Sequence, residues 1–349
     1  MPQQTKQWVF SAYPEGLPTT TGANPTFKLT EKTLPELQDG QVLVKNLYFS
    51  NDPAQRTWIS EYEDDSRLYV APVKRGDKMR AGAIAEVIES KASHLKKGDH
   101  VLGASNEWTQ YAVVDAKGVA ALQPLPNNLP ITHYHGALGL TGLTAYHGIV
   151  DVGEATKDDV LVVSGAAGAT GSMVVQIAKK MIGVKKVIGI AGGPKKCEWV
   201  RKLGADECVD YKTADWKAKL AKAATGSTLY YDNVGGETLD LMLTRLEKHG
   251  RVIACGAISS YNDAGKSVGP ENWFQIISMS LRVEGFIVLN YADKFAETRN
   301  TLVKALEKGQ LDIAEGEQVV DTEFEDVPKT WLKLFQGGNT GKLVTKLIY

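Results

Sequence analysis

The stretch Asp158–Gly183, DDVLVVSGAAGATGSMVVQIAKKMIG, constrains the fold more than any other part of the chain. Val160 to Val163 are aliphatic without alternation, the pattern of a strand buried on both faces in a parallel sheet. The run stops at glycine and alanine, and an amphipathic pattern with no charge in its first turns follows, which predicts a helix. Gly165, Gly168 and Gly171 give a G-x-x-G-x-x-G spacing between the two. Glycine permits a tight turn and lets backbone approach a phosphate closely. The N-terminus of the helix behind it adds unpaired N–H groups and a positive dipole end, which favour a pyrophosphate. The motif is a variant of the G-x-G-x-x-G dinucleotide fingerprint, with Ala167 where the middle glycine usually sits. Three glycines alone also suit an ordinary strand–helix turn; the serial strand–helix units around them favour dinucleotide binding.

Those units run from about Gly139 onward. Candidate strands are Val160–Ser164, Lys186–Gly192, Glu207–Tyr211, Leu229–Val234, Arg251–Gly256 and Leu281–Val288, and most gaps between them hold one helix. Such alternation builds a parallel sheet covered on both faces. Before Leu125, short strand-like runs such as Gly40–Ser50 and Ala81–Ser90 are punctuated by Gly, Pro and Asp, which predicts an irregular all-β unit. After the helical KFAETRNTLVKALEKGQL, the tail returns to short strand-like pieces and ends in GNTGKLVTKLIY. A chain of 349 residues fits two domains.

A net charge of −1 argues against a nucleic-acid partner. No apolar run approaches ~18 residues and the N-terminus lacks a signal-peptide core, so no membrane partner is expected. Cys197, Cys208 and Cys255 are far apart, odd in number and read as lying on sheet elements, which fits a reducing cytoplasm. They lack CxxC spacing, and the His133-x-His135 pair has no cysteine nearby, so no metal is expected. His133 and His135 read as helix-start or surface residues, and His147 as packed in a helix.

The end of the second strand selects the cofactor. An NAD site places an acid there, about 20 residues after the glycines, on the ribose 2′-hydroxyl. The sequence is instead AGGPKKCEW, with Lys195 and Lys196 able to pair with a 2′-phosphate, so NADP is preferred; two solvated lysines at a helix start are the alternative. Without a Lewis acid, adding hydride to a polarised double bond needs only a donor for the developing enolate oxygen and a proton source. Tyr261, in the loop after the fifth strand, is either that donor or a tyrosine partly buried at the domain boundary.

Across most of the chain the segments GLTGLTAYHGI, GAAGATGSMVVQIAK, RKLGADECVDYKT, YYDNVGG, GRVIACGAISSYN, LRVEGFIV and GGNTGKLV occur in order. Together they resemble the zinc-independent medium-chain dehydrogenase/reductase superfamily, and within it the branch of leukotriene 12-hydroxydehydrogenases, prostaglandin reductases and alkenal double-bond reductases. SNDPAQR (Ser50–Arg56) is similar to that branch's DPxxR segment. The resemblance implies an α/β fold with a Rossmann-type doubly wound parallel sheet plus a GroES-like β-barrel domain. It assigns residues 1–138 to the GroES-like substrate domain, 139–316 to the NADP-binding domain, and 317–349 to a return to the first. It implies a cytoplasmic homodimer that uses NADPH to reduce the C=C bond of α,β-unsaturated ketones or aldehydes, with hydride to the β-carbon and a proton to the α-carbon.

Carried over by position, cofactor contacts fall on Gly168, Ala169, Thr170, Gly171, Gly192, Lys196 for the 2′-phosphate, Tyr211 and Asn233. Further contacts fall on Cys255, Gly256, Ala257, Ile258, Ser259 and Tyr261, on the backbone of Phe286, Ile287 and Val288, and on Asn339. Tyr261 matches the tyrosine that steadies the enolate or relays its proton; a ribose hydroxyl or water are the other proton sources.

Two segments depart from the branch. GGPKK stands in place of a GSDEK-like run, losing a serine and an acidic pair but adding Lys195. DPAQR lacks the aromatic and methionine of DPYMR, which alters a wall near the substrate mouth. Quinone reduction and an NADPH-binding protein without activity are the competing functional readings.

Overall fold

The computed structural model describes residues 3–62, 64–263 and 268–349. Contacts divide the chain into two units: Met1–His135 with Gln318–Gly338 and Leu343–Tyr349, and Gly136–Glu317 with Asn339–Lys342. The tail therefore contributes to both. Among the described residues, no helix is long and apolar enough to cross a membrane.

The first unit holds β1 (Gln4–Phe10), β2 (Phe27–Thr33), β3 (Gln41–Ser50), β4 (Ala83–Ser90), β5 (His100–Leu102) and β6 (Tyr111–Asp115). β1 and β2 form an antiparallel ribbon. β3 is the hub of the larger sheet, pairing antiparallel with both β4 and β6. Fully buried Trp108 and Trp331, the latter from the returning tail, meet edge-on with ring centroids 5.7 Å apart. Phe27 joins them at 5.2 Å from Trp108, so the tail is part of this core rather than an appendage.

The second unit is built from α1 (Leu140–His147), β7 (Val160–Val163), α2 (Ala169–Gln176), β8 (Lys186–Ala191), α3 (Pro194–Leu203), β9 (Glu207–Asp210), α4 (Trp216–Ala223), β10 (Ser227–Asp232), α5 (Gly236–Leu243), β11 (Leu246–Ala254), α6 (Phe274–Ser278), β12 (Arg282–Gly285) and α7 (Phe295–Glu307). Its six strands pair in parallel in the order β12-β11-β10-β7-β8-β9. Counted from β7, this is the doubly wound order 3-2-1-4-5-6. Leu161 to Val163 and the aliphatic residues of β8 are fully or almost fully buried, as double coverage requires. The tail continues through β13 (Glu317–Thr322), α8 (Val327–Leu332) and β14 (Lys342–Leu347). β14 lies antiparallel to β3, with Val344 opposite Ser50.

Strand order reverses between β7 and β10, and one buried carboxylate locks that junction. Asp232, at the carboxyl end of β10, presents Oδ1 to four donors: Tyr230 Oη at 2.7 Å, Ser164 Oγ at 3.0 Å, and the N–H groups of Val234 and Gly235 at 3.0 and 2.9 Å. Burial raises the Asp232 pKa, outweighing hydrogen bonds that would lower it. Ser164 in turn accepts the N–H of Asn233, and Asn233 Nδ2 donates back to the Ser164 carbonyl at 2.7 Å. The first residues of the glycine turn are thereby tied to the neighbouring strand.

Cys197 lies on α3, not on a sheet element; Pro194 opens this helix, and Cys197, Val200 and Leu203 bury its inner face at helical spacing. Its thiol stands within hydrogen-bonding reach of Cys208 on β9, so these two cysteines are neighbours in space although separated in sequence.

Asp232→Ala leaves four donors without their acceptor, and chemical denaturation is expected to show a loss of about 3 kcal/mol or more. Asp232→Asn keeps an acceptor at Oδ1 and removes a buried charge, so it costs less than half as much; equal losses would contradict the assigned network.

Candidate functional site

The glycine turn starts with Gly165 at φ +58°, a left-handed conformation natural to glycine. Gly168 precedes α2 with no side-chain cap, so the first N–H groups of the helix, on Ala169, Thr170 and Gly171, have no intrahelical acceptor. A Cβ on Gly171 would stand 2.3 Å from the Gly165 carbonyl oxygen, so only glycine lets the helix start so close to the turn. The result is a bare backbone cradle at the strand-order reversal, where open α/β sheets bind ligands.

Each strand end around the cradle carries residues singled out from the sequence. After β8, a Cβ on Gly192 would meet Tyr211 Oη at 2.7 Å, so the exposed tyrosine lies over the glycine. Lys196 is half-buried in the first turn of α3, while Lys195 is exposed. Burial and the nearby Lys212 ammonium lower the Lys196 pKa. After β10 comes Asn233, held by Ser164 as above. After β11, the loop from Cys255 folds onto it: Cys255 and Gly256 donate to the Asp232 carbonyl, Ile258 to Asn233, and Ser259 to Val234. Phe286, Ile287 and Val288 follow β12 and are half-buried.

Tyr261 belongs to the same loop. Its Oη accepts the Ala257 N–H at 3.1 Å, which orients the ring within the loop. Asn339 turns Nδ2 onto the Gly341 carbonyl at 2.9 Å, and the Gly341 N–H donates to Ala167 at 2.8 Å. A tail loop is thus hydrogen-bonded to the glycine turn.

Two residues escaped the sequence reading. Asp210, at the end of β9, accepts the N–H groups of Gly193 at 2.7 Å and Lys212 at 2.9 Å, and these bonds lower its pKa. β8 indeed ends without an acid, but a carboxylate reaches its loop from the next strand. Lys212 is the second, a third cation beside Lys195 and Lys196. The only signal for either was position: both sit at the carboxyl end of a strand next to β8, and that adjacency is a property of strand order.

In the first unit, the DPAQR segment forms a 3₁₀ turn, Pro53–Ile59. Arg56 is almost fully buried there, donating to Ser60 Oγ at 2.8 Å and to the carbonyls of Pro14 and Gly16 at 3.1 and 3.2 Å. Its role is that of a clamp on the 14–16 loop. Trp331 Nε1 donates to the Asp52 carbonyl, anchoring the tail on the same segment. His133 and His135 are buried, not on the surface; they belong to a short 3₁₀ turn and the residue after it. Among the described residues, no group of three or more His, Cys, Asp or Glu stands together to hold a metal ion.

Comparison with known proteins agrees with this architecture. The family model described as the N-terminal domain of oxidoreductase matches residues 6–122, and that described as zinc-binding dehydrogenase matches residues 169–308. Mouse prostaglandin reductase 1 is 34% identical over 98% of this chain and 99% of its own. The NADPH-dependent curcumin reductase of Escherichia coli is 32% identical, covering 99% of this chain and 97% of its own. The crystal structure of CurA from Vibrio vulnificus in complex with NADPH superposes with a TM-score of 0.87 at 33% identity, over 99% of both chains. The chain belongs to the medium-chain dehydrogenase/reductase superfamily, in the zinc-independent branch that holds the prostaglandin reductases.

Proposed function

We propose that the protein is a cytoplasmic, NADPH-dependent reductase of the C=C bond of α,β-unsaturated ketones and aldehydes. The observation that carries this reading is the bare cradle at Gly165–Gly171 with Lys195, Lys196 and Lys212 grouped at the neighbouring strand ends. The cradle suits a pyrophosphate and the lysines a 2′-phosphate. The curcumin reductase and CurA likenesses support NADPH as the reductant.

When bound, NADPH supplies a hydride, which a conjugated acceptor takes at its β-carbon. The chain's own part is to hold and to polarise. Ala169, Thr170 and Gly171 offer N–H groups to phosphate; Lys196 offers a charge partly withdrawn from water, which strengthens its pairing. Gly192, under Tyr211, gives the adenosine end a flat wall. Asn233, the Cys255–Ser259 loop, Phe286–Val288 and Asn339 surround the remaining strand ends. Tyr261, whose oxygen already accepts a backbone hydrogen bond, directs its proton toward the oxygen on which negative charge develops.

We propose a homodimer paired through β12, the exposed edge strand of the parallel sheet. All four of its residues are exposed, and Trp273, Phe274 and Ile277 nearby are 59%, 67% and 67% exposed. An unpaired strand edge beside such a patch is a template for a second copy. Ile277→Glu is expected to convert the dimer to monomer in sedimentation; a wild-type monomer would contradict the pairing.

NADPH oxidation followed with a panel of enones, enals and quinones tests the activity: turnover is expected with enones and enals, and turnover with quinones alone would overturn it. Tyr261→Phe is expected to lower kcat by roughly tenfold or more, the scale of one hydrogen bond to developing charge; an unchanged kcat would place the donor elsewhere. Because the Lys196 pKa is lowered, its charge is lost at a lower pH than that of a free lysine. The NADPH Kd is therefore expected to rise with pH on the alkaline side while the NADH Kd stays flat. In Lys212→Met the rise moves to higher pH, and in Lys196→Met the two cofactors track each other.

A further inference from the structure

The lysines at the ends of β8 and β9 put the adenosine half of the cofactor on that side of the strand-order reversal, so Phe286–Val288, after β12 on the other side, is read as the nicotinamide segment; it runs into a 3₁₀ stretch, Val288–Lys294, and then into α7. The end of α1 and the π turn after it meet this segment at Phe286, Tyr291 and Lys294, and meet α7 at Thr298. At Gly148, where the helix widens into a π turn over Gly148–Val152, an added Cβ would stand 2.8 Å from Phe286 Cζ and 2.5 Å from Tyr231 Oη. The His147 imidazole, only 1% exposed, stacks on the Tyr291 ring with centroids 4.5 Å apart and planes 17° from parallel. Its Nδ1 lies 2.6 Å from Asp151 Oδ2 and its Nε2 lies 3.1 Å from Thr298 Oγ1 on α7. Lys294 Nζ completes the ring of contacts, 3.8 Å from Asp151 Oδ1.

Both ring nitrogens are therefore committed. With the proton on Nδ1, the ring donates to Asp151 and accepts from the Thr298 hydroxyl, the arrangement that satisfies all three groups. The π turn that carries Asp151 is itself fixed to the sheet: Arg282 Nη2 donates to the Val152 carbonyl at 2.6 Å and Arg251 Nη1 to the Gly153 carbonyl at 2.7 Å. A π turn inside a helix commonly marks a functional position. Here it brings one imidazole to three elements at once, the turn itself, the 3₁₀ stretch and α7.

We propose that His147 is a positioning residue for the cofactor: through Tyr291 and Thr298 it sets the path of the backbone that holds the nicotinamide half, and it leaves the adenosine half untouched. The proposal rests on the reading of Phe286–Val288 as the nicotinamide segment. It assigns His147 no contact with cofactor or substrate.

Binding separates this role from a purely structural one. The ligand 2′,5′-ADP carries the phosphorylated adenosine half alone, whereas NADPH engages both halves. His147→Phe keeps the stack on Tyr291 and removes both hydrogen bonds. It is expected to weaken NADPH by about tenfold, the size of a lost hydrogen bond at a buried site, while the Kd of 2′,5′-ADP stays within about twofold of wild type. Thr298→Val, which removes only the hydroxyl, is expected to shift NADPH in the same direction by about threefold and gives the test should the first variant fail to fold. An unchanged NADPH Kd in a folded variant, or equal weakening of both ligands, would overturn the proposal. Wild-type protein that binds 2′,5′-ADP and NADPH with equal affinity would instead remove the nicotinamide segment on which it rests, and wild-type protein that binds neither would overturn the site as a whole.

Discussion

The buried carboxylate of Asp232 is the constraint on which the rest of the structure depends. A negative charge withdrawn from water is costly, and it is tolerated here because four donors converge on one oxygen. Two of those donors belong to the turn after β10, and the hydroxyl of Ser164 belongs to the turn after β7. The carboxylate thus sews together the two strand ends between which the sheet reverses. Asn233 strengthens the seam with its own pair of bonds to Ser164. Ser164, the residue that leads into the glycine turn, is held from the side by this seam, while the Gly168 N–H closes the turn on the Gly165 carbonyl at 2.8 Å.

From that seam the site spreads outward by adjacency. The loop after β11 hangs on the carbonyls of Asp232, Asn233 and Val234, which places Tyr261. The tail loop at Asn339–Gly341 hangs on Ala167, and a Cβ on Gly341 would stand 2.1 Å from the Gly316 carbonyl oxygen, so only glycine lets the tail pass there. The cations gather on the far side of the turn, where β8 and β9 end. Asp210 sits among them, yet its charge is turned onto two backbone N–H groups, and Lys212 and Lys219 lie near enough to offset it. The balance at that end remains positive, which is what a doubly charged phosphate needs.

Much of this was legible in the sequence because the signals were local. Unbroken aliphatic runs mark the doubly covered strands, and the G-x-x-G-x-x-G spacing marks the turn between β7 and α2. Positions matched by resemblance, from Gly168 to Asn339, fall at strand ends, in loops or in the first turns of α2 and α3, all in the same unit. Where the reading failed, the missing information was non-local or aperiodic. The reading of Cys197 as a sheet residue passes over Pro194 and the helical spacing of Cys197, Val200 and Leu203, which follow the candidate strand's end at Gly192. His133 and His135 sit in a turn too short to show any period, so their burial left no trace. The meeting of Asp210 with Gly193, and of Lys212 with Lys196, follows from β9 lying beside β8. The four donors to Asp232 include one 68 residues away in sequence, which no window of the sequence reveals.

The central claim is that the backbone between Gly168 and Gly171 receives the phosphates of a dinucleotide. The most direct measurement is a nuclear magnetic resonance titration of the amide-labelled protein with NADPH, reading the Ala169, Thr170 and Gly171 signals. These three amides are expected to shift downfield together and to saturate with the same Kd as the bulk titration. Saturating NADPH that leaves all three in place would contradict the account.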